Sequence, residues 1–232
     1  MRTSGKGRHP VVVAADLVSE GMHFGPKQLA VIEPNDFDLE RTHQSTGSFH
    51  KTKLIGLDLL TKYGAVINSR NQQLFFSKTP GRLPITREKY EQMGFTYVPI
   101  EVVQSSYIGV VGTINGTDYT FIIDTGSPFT TILDSIAEKE NLPAYATSIT
   151  LRGGFHDFKD PRVHAASLPG FKIGNQDLSD DFISFANLNL PIISSKHPFG
   201  GIIGADILFY RSAILDLGNG ALYLAPDFRK KK

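Results

Sequence analysis

The chain has 232 residues, of which 41% are apolar and 20% charged, with a formal net charge of +1 and no cysteine. That length can bury a core as one large domain or two modest ones, and the near-neutral balance speaks against nucleic acid or an anionic membrane as a partner. Without cysteine, disulfides, thiol chemistry and cysteine-zinc sites are excluded, and no segment approaches the roughly 18 apolar residues of a membrane span.

The first apolar run, VVVAADLV from Val11, is too short and too acidic for a signal-peptide core, which leaves the compartment open. Helical periodicity begins in LDLLTKY, from Leu57. Between Ser77 and Phe95, Pro80, Gly81 and Pro84 interrupt both periodicities and mark a linker, within which TREKYEQM can form a short helix. Short β-branched or aromatic runs follow: VPIEVV, IGVVGTI and YTFIID, the last two joined by the turn pair Asn115-Gly116. TILDSIAEKENL, from Thr131, reads as a helix, and so does ADILFY from Ala205. SAILDL and ALYLAP read as strands around the turn Gly218-Asn219-Gly220. The basic run ending the chain reads as a solvated tail. Short strands with tight turns predict an all-β fold.

One unit occurs twice. IGLDLLTKYGAVINSRNQQLFF, from Ile55, aligns with IGADILFYRSAILDLGNGALYL, from Ile203, at an offset of 148. Gly56 falls on Gly204, Asp58 on Asp206, Leu60 on Leu208, Ala65 on Ala213, Asn71 on Asn219 and Leu74 on Leu222. Upstream, VVAADLVSEGMHFG from Val12 matches VHAASLPGFKIG from Val163 once two residues are removed, at an offset of 151. The expected organisation is a C-terminal half of a truncated or degenerate unit at 1–76, a linker at 77–95, a complete unit at 96–226 and a basic tail at 227–232.

Within the complete unit, YTFIIDTGS places Asp124 at the end of an apolar strand, where a buried carboxylate is costly unless something pairs with it. Gly126 lets the strand turn sharply and bring amides toward that carboxylate. Thr125 is stiff at χ1 and suited to a fixed hydroxyl contact, and Ser127 can donate a further hydrogen bond to Asp124.

On these residues, on the following TTIL, on the glycine-rich LRGGFHDFKDPRV and on the apolar-apolar-glycine motif Ile202-Ile203-Gly204 in GIIGADIL, the segment from about Val98 to Pro226 resembles the retropepsin-like aspartic proteases, single-domain relatives of pepsin. The resemblance implies an all-β, closed or partly closed acid-protease barrel, preceded here by a partial second copy. It also implies an aspartic endopeptidase in which Asp124 is catalytic, Thr125, Gly126 and Ser127 shape the site, and the Thr125 hydroxyl bonds across to a partner loop. LRGGFHDFKDPRV would then be a flap, with Gly153 and Gly154 as hinge and Phe155 and Phe158 closing over an extended peptide; it lacks the tyrosine typical of pepsin flaps. The implied partner is a peptide or protein substrate, and neither cofactor nor metal is required.

Such chemistry needs two carboxylates sharing a proton, one acting as base on water while the other protonates or hydrogen-bonds the scissile carbonyl. Aspartic proteases are a standard example of this pattern. Here Asp-Thr-Gly occurs once. Asp58 and Asp206 read as helix-entry or solvent-facing carboxylates. The second aspartate is therefore expected from a homodimer partner or from pairing with a second retropepsin-like unit. The repeat offset of 151 puts the counterpart of Asp124 at about −27, upstream of Met1, so the natural product is expected to extend upstream. The alternative is a catalytically inactive peptide-binding or assembly module.

Other constellations carry little. The histidines, among them His43, His50, His156, His164 and His197, fall in no metal-binding spacing. GKGRHP lacks the flanking strand and helix of a phosphate loop. Asn115-Gly116-Thr117 matches a glycosylation acceptor but reads as a hairpin turn, and Ser127 has no nucleophile-elbow motif around it.

Overall fold

The computed structural model describes residues 11–14, 16, 18–19, 22–30, 55–77, 85–103, 107–143, 145–150, 162–179, 182–188 and 195–226. They fall into two compact units, the first holding those up to residue 30 and the second those from residue 55 onward. In the first, β1 (Val11–Ala14) pairs antiparallel with β4 (Lys27–Ala30), and β2 (Val18–Ser19) with β3 (Met22–His23). Phe24 is buried there, and the Asp16 carboxylate accepts the Gly25 N–H at 2.9 Å.

The second unit begins with α1 (Leu57–Lys62), β5 (Val66–Asn68), β6 (Gln73–Phe75), α2 (Arg87–Gln92) and β7 (Thr96–Pro99). It continues with β8 (Glu101–Val103), β9 (Tyr107–Ile114), β10 (Thr117–Ile123), β11 (Thr131–Leu133), α3 (Asp134–Lys139), β12 (Tyr145–Thr150) and β13 (Arg162–Ser167). The last elements are β14 (Phe171–Ile173), β15 (Gln176–Asp177), β16 (Phe182–Ala186), β17 (Phe199–Ile203), α4 (Ala205–Tyr210), β18 (Ile214–Asp216) and β19 (Ala221–Leu224). Short strands dominate, and the fold is all-β. The stretch expected as a linker, 77–95, contains α2, and the stretch expected to be helical from Thr131 begins as strand β11. Thr131–Leu133 are extended because they are sandwiched between β16, in parallel, and β17, antiparallel.

Two sheets carry the second unit. The larger runs β12-β13-β16-β11-β17-β10-β9-β14-β15, with β8 also on β9. The hairpin of β9 and β10 turns at Asn115 (φ 46°) and Gly116 (φ 83°), the two left-handed residues a tight primed turn requires. Toward its end β10 becomes buried on both faces, since Tyr119 to Ile123 are all interior. This is the pattern of a strand with neighbours on either side and layers above and below. Its neighbours are β9, antiparallel, and β17, parallel, with Ile123 opposite Ile203.

The smaller sheet has the order β6-β5-β18-β19-β7. At its centre Ile67 of β5 lies opposite Leu215 of β18, and these two residues are themselves 148 apart. The connections around them match in the same way: Ser69 N–H donates to Ala213 O and Leu217 N–H to Ala65 O, both at 2.9 Å. At the other end of this sheet Tyr223 is packed by Tyr90 of α2, ring centroids 4.3 Å apart, and by Tyr97 of β7 at 5.8 Å. Burial, together with the nearby Asp216 carboxylate, pushes the Tyr223 phenol up to about 12.

Candidate active site

The loop from Asp124 to Thr130 links β10 to β11, and β17 lies between those two strands. The later strand fixes the loop at several points. Asp124 N–H donates to Ile203 O at 3.0 Å, and Ala205 N–H donates to Ser127 O at 2.8 Å. Gly204 presses against the loop so closely that a Cβ there would stand 2.4 Å from the Phe129 carbonyl carbon and 2.8 Å from Thr130 N. The apolar-apolar-glycine motif thus has a physical reason: Ile202 and Ile203 extend the sheet beside β10, and only a glycine lets the chain pass under the loop.

Asp206, in the first turn of α4, completes the bracing. Its carboxylate accepts the Thr130 N–H at 2.8 and 2.9 Å and the Thr130 hydroxyl at 2.7 Å, while Thr130 Oγ1 in turn accepts the Gly204 N–H at 3.0 Å. It also accepts the N–H of Ile207 at 2.7 Å. Of the two readings of Asp206, the helix-entry one holds, and the solvent-facing one does not, because the carboxylate is engaged by the Thr130 N–H and hydroxyl of a loop far away in sequence. Thr130 was not singled out from the sequence at all. The signal that could have found the pair is the aspartate two residues after each motif glycine, at 58 and 206.

So braced, the loop presents Asp124, Thr125 and Gly126 to solvent, with Ser127 partly covered. The Asp124 carboxylate is exposed instead of buried, the chain having left the core one residue earlier at Ile123. Gly126 N–H donates to Asp124 Oδ1 at 2.8 Å, as expected. Gly126 does this without entering the left-handed region; what glycine supplies is room, since a Cβ would stand 3.2 Å from that oxygen. The Ser127 hydroxyl donates to Phe129 O at 2.8 Å and not to Asp124, so it stiffens the loop instead of contacting the carboxylate. Thr125 lines a cavity of about 300 Å³ with Ala205, Leu208 and Phe209, facing Ile67, Asn68, Ser69 and Gln72.

The flap residues Gly153, Gly154, Phe155 and Phe158 lie outside the described residues; β12 and β13, on either side of them, pair antiparallel with Thr150 opposite Arg162. Among the described residues no group of His, Asp and Glu is placed to hold a metal ion, and no helix is long and apolar enough to cross a membrane.

A strand ending in Asp-Thr-Gly, held by a later apolar-apolar-glycine strand laid between it and its successor, defines a protease fold of the aspartic class. Residues 110–207 match the family model described as aspartyl protease, the class that the sequence resemblance implied. Among solved structures, a crystal structure of a retropepsin-like aspartic protease from Rickettsia conorii is similar at 12% identity and a TM-score of 0.37, covering 56% of this chain and 88% of that one. A search of the curated proteins finds no match.

Proposed function

We propose that the protein is an aspartic endopeptidase in which Asp124 is one of two carboxylates that activate water. The observation that carries this reading is the Asp124 loop itself: a solvent-facing carboxylate, with the Gly126 amide on one oxygen, inside the stretch matched to aspartyl proteases. One carboxylate takes a proton from water as its oxygen attacks the scissile carbonyl, and the other gives its proton to the carbonyl oxygen. Collapse of the resulting diol breaks the C–N bond, and the leaving nitrogen collects a proton from the dyad. The substrate this reading expects is a peptide in extended form, recognised through its backbone amides and carbonyls.

The partner aspartate is expected beside α1, whose place in sequence at the offset of 148 matches that of the helix carrying Asp206, which holds the Asp124 loop through Thr130. A second reading, a peptide-binding module without catalysis, is favoured by the single Asp-Thr-Gly in the chain. Asp124→Asn separates the two. It keeps size and most hydrogen bonding but cannot act as the general base. Hydrolysis of an unfolded protein substrate below neutral pH should fall by about 10²–10⁴ or more, with the circular dichroism spectrum unchanged. Equal, measurable hydrolysis by both proteins would remove Asp124 from the site, and two equally inert proteins that bind peptide alike would establish the module.

A further inference from the structure

Asn-Gly occurs twice in the chain, at 115–116 and at 219–220, and both pairs lie in turns between paired strands. The dipeptide is chemically labile. Glycine has no side chain to shield its backbone nitrogen, so that nitrogen can attack the side-chain carbonyl carbon of the asparagine before it. A C–N bond forms, the bond to Nδ2 breaks, and ammonia leaves with the glycine's proton. Water then opens the cyclic imide to aspartate or its β-linked isomer. No enzyme is needed, only a side chain free to swing onto the next residue.

In the folded chain neither side chain is free, although Asn115, Gly116 and Asn219 are all exposed. Asn115 Nδ2 donates to Glu140 Oε2 at 2.6 Å, and Asn219 Nδ2 donates to Asp216 Oδ2 at 2.7 Å. The two carboxylates differ in origin. Asp216 stands three residues before Asn219 on the strand that enters the same turn, whereas Glu140 caps the C-terminus of α3, 25 residues from Asn115. The other side of Asn115 is blocked as well. Its N–H donates to Gly170 O at 3.3 Å, and Gly170 lies so near Asn115 Oδ1 that a Cβ on it would overlap that oxygen. The amide is thus held only while α3, the β9–β10 hairpin and the turn before β14 are assembled.

We propose that Asn115 is a modification site which the fold guards through Glu140: when the chain opens here the amide is converted to a carboxylate, and the contact then cannot re-form. Conversion replaces a hydrogen-bond donor by an acceptor. The new carboxylate would face that of Glu140, and two ionised carboxylates at hydrogen-bonding distance repel. The β-linked isomer adds a backbone atom to a two-residue turn whose strands are already in register. Each opening therefore exposes the chain to a one-way step, and the hairpin beside α3 keeps a chemical record of past unfolding.

Peptide mapping by mass spectrometry tests this on the full chain, incubated folded at neutral pH and, in parallel, unfolded in urea. Conversion at Asn115 should be slower in the folded chain by about tenfold or more. Glu140→Ala should remove most of that protection at Asn115 while Asn219, held by Asp216, stays slow; Glu140→Gln, which keeps an acceptor oxygen, should retain it. Asn115→Asp should lower the melting temperature, and adding Glu140→Gln, whose amide can donate to the new carboxylate, should restore it. Conversion in the folded parent at the unfolded rate, or a rate in Glu140→Ala no faster than in the parent, would overturn the proposal. So would equal acceleration at Asn115 and Asn219 in Glu140→Ala, which would make the whole fold the guard in place of Glu140. An Asn115→Asp protein as stable as the parent would overturn the one-way step.

Discussion

The corner from Gly204 to Leu224 and the corner from Gly56 to Phe76 have the same order of helix, turn and two strands, yet Leu222 is interior where Leu74 is exposed, and Asp206 is half-buried where Asp58 is exposed. What they have in common is local: a glycine before a six-residue helix, a left-handed residue after it, an Asx-type turn between two strands. What separates them comes from afar, because Gly204 and Asp206 engage the Phe129–Thr130 backbone and Tyr223 engages α2 and β7. Conformation in these corners is thus set by nearby residues, and energetic weight by distant ones. Identical substitutions in the two should have unequal effects.

The widest difference is expected at the glycines. Gly204→Ala drives a methyl into the Phe129 carbonyl carbon, which cannot move without displacing β11, and should cost about 3 kcal/mol. At Gly56 the atom in the way is the Asp58 carboxylate oxygen, the free end of a side chain, so Gly56→Ala should stay within about 0.5 kcal/mol. Urea midpoints of the two variants measure this; equal losses would mean that the Gly56 corner is as tightly covered as the Gly204 corner.

A smaller contrast is expected at the aspartates. Asp206→Ala strands the Thr130 N–H and hydroxyl and should cost about 2 kcal/mol, whereas Asp58→Ala, at an exposed position, should be close to neutral. Because the lost contacts hold the loop that carries Asp124, Asp206→Ala should also reduce any peptidase activity more than its stability deficit explains, which an assay well below its melting temperature would reveal.

The smallest contrast is confined to alkaline pH. Tyr223, at about 12 in the folded chain against an ordinary 10, resists ionisation while folded but ionises readily once unfolded. Its contribution is complete below about pH 10 and is lost as the pH rises toward 12, so melting temperature should drop between about pH 10 and 12. Tyr223→Phe, which gives this corner the Phe found at position 75, should shrink that drop and leave neutral-pH stability nearly unchanged. An undiminished drop in the variant would assign the loss to another phenol, Tyr90 being the first to examine, since burial raises it too.

Much of this was legible in the sequence where a local rule operates. Asn115-Gly116 specifies its turn whatever surrounds it, and an apolar strand running into Asp-Thr-Gly marks where β10 ends. Reasoning from neighbours in sequence misjudged what depends on contacts made at long range. Thr131–Leu133 opens a stretch whose later residues have helical spacing, but it is itself extended because β16 and β17 flank it. Asp124 follows three interior residues and is nonetheless exposed, since the chain turns out of the sheet there. Ser127 has an acceptor closer than the carboxylate, the Phe129 carbonyl. Thr130 and Asp206 are 76 residues apart, and nothing in either neighbourhood names the other.

The placement of β17 between β10 and β11 also dictates the order in which the molecule can be made. During synthesis, β9, β10 and β11 leave the ribosome long before residues 199–205, and until those arrive Asp124 N–H, Ser127 O and the Thr130 hydroxyl lack the groups that hold them in the finished loop. A nascent chain arrested before Phe199 can form the β9–β10 hairpin, which is local and quick to close, but not the Asp124 loop, whose closure spans some eighty residues. The Asp124 loop therefore takes its final form among the last events of biogenesis, and an unfinished chain carries the Asp-Thr-Gly sequence without the hydrogen bonds that shape it in the finished fold.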